Sequence, residues 1–314
     1  MATAFIFPGQ GSQAVGMGKA LAEAFPVARA VFDEVDAALS QKLSILMWEG
    51  PAEELTLTAN AQPALMAASL AAIRVLEAEA GLSLKNDAAF VAGHSLGEYS
   101  ALAAAGTFSI GDAARLLRIR GDAMQKAVPA GEGAMAALLG VELDQARAIA
   151  ADAAEGQVCQ VANDNGGGQV VLSGAKAAVE RAIVLAGERG VRRAMLLPVS
   201  APFHCALMQP AAEAMQTALA EVSMQAPVVP VMANVGAAPL SDPAAICASL
   251  VAQVTGTVRW RECVEAMAAA GVTQFYEVGS GKVLAGLVKR IAAGTTAVSI
   301  GSPDDIAAYK AQKG

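Results

Sequence analysis

Apolar positions along this chain follow two rhythms that alternate. Residues 2–7 (Ala-Thr-Ala-Phe-Ile-Phe) form a continuous apolar run closed by a Pro/Gly turn from Pro8 to Gly11, which reads as a buried strand. Spacings of three and four then predict helices over about 17–39 and 61–80, the second with Pro63 near its start, where a missing N–H is tolerated. The run Ala88 to Ala92 predicts a strand, Gly97 to Ala105 a helical stretch, and 111–126 a longer helix. Strand alternating with helix implies a mainly parallel sheet covered on both faces.

The middle of the chain changes character. Strands are predicted at Ala134 to Gly140, Val158 to Ala162, Gln169 to Gly174 and Arg193 to Val199, with helices at Leu143 to Ala154 and Lys176 to Gly190. That β-α-β-β-α-β order is ferredoxin-like. Proline and glycine flank it, at Pro129-Ala130-Gly131 and at Pro198 to Pro202. The pattern predicts an inserted small subdomain over 128–198 and a larger α/β subdomain from 1–127 and 199–314. The larger part continues with helices near 208–222, 243–254 and 259–270 and strands at Val228 to Ala233 and Thr273 to Val278. A Gly-rich turn at 279–281, a helix to about 292 and a strand at 296–300 follow.

Composition narrows the class. With 55% hydrophobic and 16% charged residues among 314, the chain can bury a large core and is not a disordered one. No apolar run reaches the roughly 18 residues of a spanning helix, and Met1 to Phe7 lacks the basic segment and cleavage site of a signal peptide. Cys159, Cys205, Cys247 and Cys263 lie far apart, without a C-x-x-C pair, so reduced thiols in a cytoplasmic protein are expected and a metal site is not. The net charge of −7, with no basic block, disfavours nucleic acid as a partner.

The chemistry begins at Gly93-His94-Ser95-Leu96-Gly97. A G-x-S-x-G sequence between an apolar strand and a helix is the context of a nucleophile elbow, with the serine on a strained turn at the positive end of the helix. The chain has only two histidines. His94 adjoins the serine and should project away from it on a tight turn, so an activating imidazole must be His204, in Ser200-Ala201-Pro202-Phe203-His204. A serine–histidine pair usually has a third group orienting the ring. Asp242, in a Ser-Asp-Pro turn, reads as a local cap, and Glu98 as the start of the helix after the elbow. A backbone carbonyl could serve instead, and the sequence does not choose.

Two glycine loops compete weakly. Gly9, Gly11 and Ala14 satisfy G-x-G-x-x-A after a strand, but the acidic residues about 20 positions on, Asp33 and Asp36, fall in a helical stretch. Gly279-Ser280-Gly281-Lys282 fails the P-loop pattern at Tyr276 and Val283. Arg115, Arg118 and Arg120 share one helix, and any that faces the cleft could clamp a carboxylate.

Taken together, several blocks resemble the malonyl-CoA:acyl-carrier-protein transacylases, in particular the free-standing kind of bacterial type II fatty-acid synthesis. They are Phe-Pro-Gly-Gln-Gly-Ser-Gln at 7–13, Gln62-Pro63-Ala64, Gly-His-Ser-Leu-Gly-Glu-Tyr at 93–99, Arg120-Gly121 with Met124-Gln125, Val-Ser-Ala-Pro-Phe-His at 199–204, and Gln253 before Val258-Arg259-Trp260. The resemblance covers nearly the whole chain, in order, with no departure at the matched catalytic positions. It implies an α/β-hydrolase-like subdomain with a parallel sheet, plus the ferredoxin-like insertion. It implies Ser95 as nucleophile, His204 as general base and acid, and the N–H groups of Gln10 and Leu96 as oxyanion hole. Arg120 would pair with the malonyl carboxylate, and the Gln253 main-chain carbonyl would orient the histidine. Gln62 would line the pocket, and Phe203 resembles the malonyl-selective pattern.

The activity so implied is ping-pong malonyl transfer from malonyl-CoA to the phosphopantetheine thiol of acyl carrier protein, by a cytoplasmic monomer with no permanently bound cofactor. Alternatives with the same elbow are a serine thioesterase or hydrolase and the malonyltransferase subunit of a malonate decarboxylase. An acidic carrier needs a local basic patch, for which Lys282, Lys289 and Arg290, or Arg192 and Arg193, are candidates.

Overall fold

The computed structural model describes residues 2–313, which form two sheets with helices on their faces. The strands are β1 (Ala2–Phe7), β2 (Phe90–Gly93), β3 (Gly133–Leu139), β4 (Cys159–Asp164), β5 (Gln169–Ala175), β6 (Arg193–Leu196), β7 (Val231–Ala233), β8 (Ala238–Leu240), β9 (Val272–Val278) and β10 (Thr296–Ile300).

The larger sheet has the order β10-β9-β1-β2-β7-β8. All its pairs are parallel except β7 with β8. Residues Ala4 to Phe7 of β1 are fully buried, as a central parallel strand covered on both faces requires. The chain leaves β1 toward β2 on one side and later places β9 on the other. Crevices for ligands open where strand order reverses in this way, beyond the carboxyl ends of the strands.

Behind the sheet runs the helix Thr58–Ala80, buried almost all round from Ala61 to Leu76. Such a helix is apolar on every side because it has no solvent face. It begins three residues before the predicted 61, so Pro63 lies inside it rather than at its first turn. The predicted 17–39 helix is two helices, Lys19–Ala24 and Pro26–Leu39. The residue before a proline is pushed out of helical geometry, and Phe25 is extended at φ −132° and ψ 117°. Two strands are shorter than predicted: β6 ends at Leu196, not Val199, and β7 begins at Val231, not Val228. The flanking Pro198 and Pro230 lack the N–H that would continue a ladder.

The smaller sheet has the antiparallel order β4-β5-β3-β6, the ferredoxin-like arrangement, with helices Leu143–Ala154 and Lys176–Glu188. Its period-two alternation divides β3 between two cores. Ala136 and Leu138 face those two helices, whereas Met135 and Ala137 join the core of the larger part. A strand apolar on both faces thus couples the small sheet to the cleft floor.

Candidate active site

The loops that follow β1 and β2 meet at the switch point. Between β2 and the helix Gly97–Ala104 the chain turns sharply, and Ser95 takes φ 56° in the left-handed region. Glycine is required on both sides of that turn. A Cβ on Gly93 would stand 1.9 Å from the Gly97 backbone, and one on Gly97 would stand 2.3 Å from the Phe7 carbonyl oxygen. The strain at Ser95 is held from outside the turn. Its N–H donates to Asn234 Oδ1 at 2.7 Å, and its carbonyl accepts from Gln253 Nε2 at 3.0 Å.

His204 also has a positive φ, 57°. Its Nε2 lies 2.8 Å from Ser95 Oγ, and its Nδ1 lies 2.9 Å from the Gln253 carbonyl oxygen. A carbonyl only accepts, so the proton sits on Nδ1 and the Nε2 lone pair faces the serine hydroxyl. Burial pushes the imidazole down to about 3, and the nearby Arg120 charge adds to the shift. The ring therefore rests neutral, as a base must. Among the described residues the partner of Nδ1 is this backbone carbonyl and not a carboxylate. Asp242 instead caps a helix by accepting from Ala245 N–H at 2.8 Å.

Of the three arginines, the fold separates one. Arg115 pairs with Asp112, and Arg118 donates to Asn60 and Gln41 near the surface. Arg120 is 1% exposed. Its Nη1 donates to Gln62 Oε1 at 2.7 Å, and its Nη2 to Gln253 Oε1 at 2.9 Å and Ser95 Oγ at 3.1 Å. Its Nε finds no partner among the described residues. A guanidinium so desolvated, beside a nucleophile-like oxygen, can receive an anion at little further dehydration cost.

These groups open on one cavity of about 410 Å³, lined by Gln10, Gln62, Ser95, Arg120, Phe203 and His204 together with Met124, Met135 and Leu197. Gln10 comes from the loop after β1, and Leu96 stands at the head of the elbow helix. Neither of their backbone N–H groups is donated to another group among the described residues. Amides free at a helix start can receive an oxyanion. No cluster of three or more His, Cys, Asp or Glu side chains with metal-binding geometry occurs among the described residues.

One residue at the site carried no sequence signal, and two others do more than the sequence suggested. Asn234 follows β7 and clamps the elbow twice, accepting from Ser95 N–H and donating to the Gly93 carbonyl at 2.7 Å. Glu98 does more than begin a helix: it is 2% exposed and accepts from Asn234 N–H and Gln253 Nε2. His94 is turned to Asn165 Oδ1 at 2.8 Å and packs on Trp260.

The family model of the acyl transferase domain matches residues 4–302. The chain belongs to the acyl transferase family. A malonyl CoA-acyl carrier protein transacylase of Escherichia coli (strain K12) is 48% identical to this acyltransferase over 305 residues, 97% of each chain. The solved acyl-carrier-protein-S-malonyltransferase from Bartonella henselae is 58% identical with a TM-score of 0.97, covering 100% of this chain and 99% of its own. A type II PKS acyl-carrier protein in complex with its malonyl-transacylase gives a TM-score of 0.96 at 41% identity, over 99% of this chain and 100% of that one.

Proposed function

We propose that this acyltransferase moves the malonyl group from malonyl-CoA to the phosphopantetheine thiol of an acyl carrier protein, in fatty-acid biosynthesis, through a malonyl ester on Ser95. Arg120 carries the reading: a guanidinium 1% exposed, with one Nη 3.1 Å from Ser95 Oγ. A malonyl carboxylate pairs with it bidentately, whereas an acyl chain ending in methyl leaves the charge buried and unanswered. The names of the Escherichia coli and Bartonella henselae relatives support the same reaction.

In the first half-reaction Ser95 Oγ attacks the thioester carbonyl while its proton passes to His204 Nε2. The tetrahedral oxyanion is received by the N–H groups of Gln10 and Leu96. The C–S bond then breaks, and the proton on His204 goes to the departing coenzyme A sulfur. The second half runs in reverse: the carrier thiol gives its proton to His204, its sulfur attacks the ester, and Ser95 recovers its proton. The Gln253 carbonyl keeps the imidazole in the required tautomer throughout. Gln62 holds Arg120, and Phe203 fills the cavity wall where a 2-methyl branch would lie.

The complex of a related malonyl-transacylase with its carrier supports the acceptor. Arg290 packs beside Gly167, and Arg192 beside Gly140, whose N–H donates to the Gly168 carbonyl at 2.8 Å. Arg192 and Arg290, each beside a second basic residue in sequence, thus flank a single glycine hairpin, the one that brings Asn163 to the cavity. We assign carrier docking to this basic surface; Lys282 borders a different cavity, beside Met17 and Ser299. Reversing Arg192 and Arg290 to Glu should raise the KM for the carrier about tenfold and leave that for malonyl-CoA nearly unchanged. An unchanged carrier KM rejects the surface.

The proposal also takes 1–127 with 199–314 as the catalytic subdomain and 128–198 as the small one, supported by the two separate sheets. It places the enzyme in the cytoplasm, to which four free cysteines are suited, and takes it as a monomer. Incubation with malonyl-CoA should add one malonyl mass, mapped to Ser95 and absent from Ser95→Ala. An active protein that carries no such mass defeats the proposal, and release of free malonate without an acceptor thiol would mark a hydrolase instead.

A further inference from the structure

Gln253 touches every group of the proposed relay. Its main-chain carbonyl accepts from His204, its Oε1 accepts from Arg120, and its Nε2 donates to the Ser95 carbonyl. The main-chain contact is independent of the side chain; the other two depend on which way the amide is turned. A reversed amide would aim its NH₂ at the guanidinium, which has only donors, and the contact with Arg120 would be lost.

Two acceptors face the NH₂ end of the amide and set its direction, the Ser95 carbonyl at 3.0 Å and Glu98. Glu98 Oε2 lies 2.8 Å from Gln253 Nε2 and 3.0 Å from the Asn234 N–H. An ionised carboxylate only accepts, so it tolerates the NH₂ end and rejects the carbonyl end. Glu98 is 2% exposed and has no salt-bridge partner among the described residues, an expensive state for a carboxylate with no ordering role. Asn234 cannot do this alone: its Oδ1 accepts from Ser95 N–H and stands 3.5 Å from Gln253 Nε2.

We propose that Glu98 is a positioning residue for acyl selectivity, acting on Arg120 by fixing the orientation of the Gln253 side-chain amide. Glu98 lies one contact behind Gln253, so it does not touch the acyl group. Its effect falls on the carboxylate clamp, while His204 is held by the Gln253 main chain and the Ser95 N–H by Asn234, neither of which depends on the direction of that amide. The inference rests on the malonyl-transfer reading.

The test compares malonyl-CoA with acetyl-CoA as donors for wild type, Glu98→Gln and Gln253→Met. Glu98→Gln replaces the carboxylate by an amide that can offer either end, which leaves the Ser95 carbonyl as the one strict acceptor at the Gln253 NH₂. Gln253→Met keeps the main-chain carbonyl and loses the side-chain amide with its contacts to Arg120 and to the Ser95 carbonyl, so it should slow both donors and malonyl the more. Both variants should lower kcat/KM for malonyl about ten- to hundredfold more than for acetyl. Equal losses for both donors would make Glu98 a merely structural residue, and an unchanged preference would remove it from the site; either overturns the inference. Wild type that gives no malonyl adduct on Ser95 fails the parent reading instead, and the two failures are told apart by that control.

Discussion

Two buried glutamates in this molecule look alike and do different things. Glu277, at the end of β9, is fully buried and accepts from the N–H groups of Leu284 and Ala285, at 3.1 and 2.8 Å, with Ser299 Oγ alongside. It caps the helix Val283–Ile291, whose first-turn amides lack intrahelical partners. Glu98 is as deeply buried, yet its partners are Gln253 and Asn234, both of which hold Ser95. Burial raises both carboxyls above the ordinary range, Glu98 to about 7. Depth of burial and direction of shift therefore do not distinguish a structural carboxylate from one wired to a site; the identity of the donors does.

The comparison breaks most sharply at Arg120, the charge that lies near Glu98 and has no counterpart at Glu277. Arg120→Ala should cost malonyl transfer about 2–5 kcal/mol, a loss of roughly thirty- to several thousandfold, and acetyl transfer far less. Steady-state kinetics with both donors measures it. Equal losses would mean that Arg120 supports the pocket without reading the carboxylate.

A smaller effect should appear at the structural glutamate. Glu277→Ala leaves two buried helix amides and a hydroxyl without an acceptor, and about 2–3 kcal/mol of stability should go with them. Urea denaturation reads this directly. The folded variant should keep the wild-type preference for malonyl over acetyl, and a changed preference would erase the distinction between the glutamates.

The smallest effect is a pH dependence. Glu98 is raised to about 7, so it is ionised above that pH and takes up a proton as the pH falls through it. The groups that bear on it are Arg120, Tyr99 and Cys263, and both Tyr99 and Cys263 are raised by burial and stay neutral. His204, pushed down to about 3, contributes no titration in this range. Malonyl-over-acetyl preference should therefore decline a few-fold from pH 8 to pH 6 in wild type and stay flat in Glu98→Gln. A decline of equal size in the variant would assign it to another group.

What was legible in the sequence was local or scarce. Ser95 could be read because strand, glycines and helix are neighbours in the chain, and His204 because the chain has only one other histidine. Arg120 could not be separated from Arg115 and Arg118 by spacing, since only the packing of the helix Ile110–Lys126 decides which guanidinium faces inward. Asn234 and Gln253 act on the elbow across 139 and 158 positions, and no pattern in one sequence encodes such pairs. Glu98 directly follows Gly97, the last glycine of the elbow motif, yet its partners lie 136 and 155 positions away. The small sheet was readable in full order because its period-two runs are bounded by glycine and proline. Short helices such as Leu43–Glu49 and Ala52–Thr56 were not, because one or two turns show too little periodicity to recognise.

The carbonyl behind His204 has a kinetic meaning of its own. A carboxylate there would give an imidazolium a full counter-charge; a carbonyl offers only a dipole, and the guanidinium in front repels. Protonated histidine is thus the least comfortable state of the proposed cycle, and the proton has every reason to move on to a sulfur at once. In that proposed cycle the same discomfort would leave a malonyl ester on Ser95 beside a neutral ring. The ester would wait there for the next thiol, and the direction of transfer would be set by which carrier arrives.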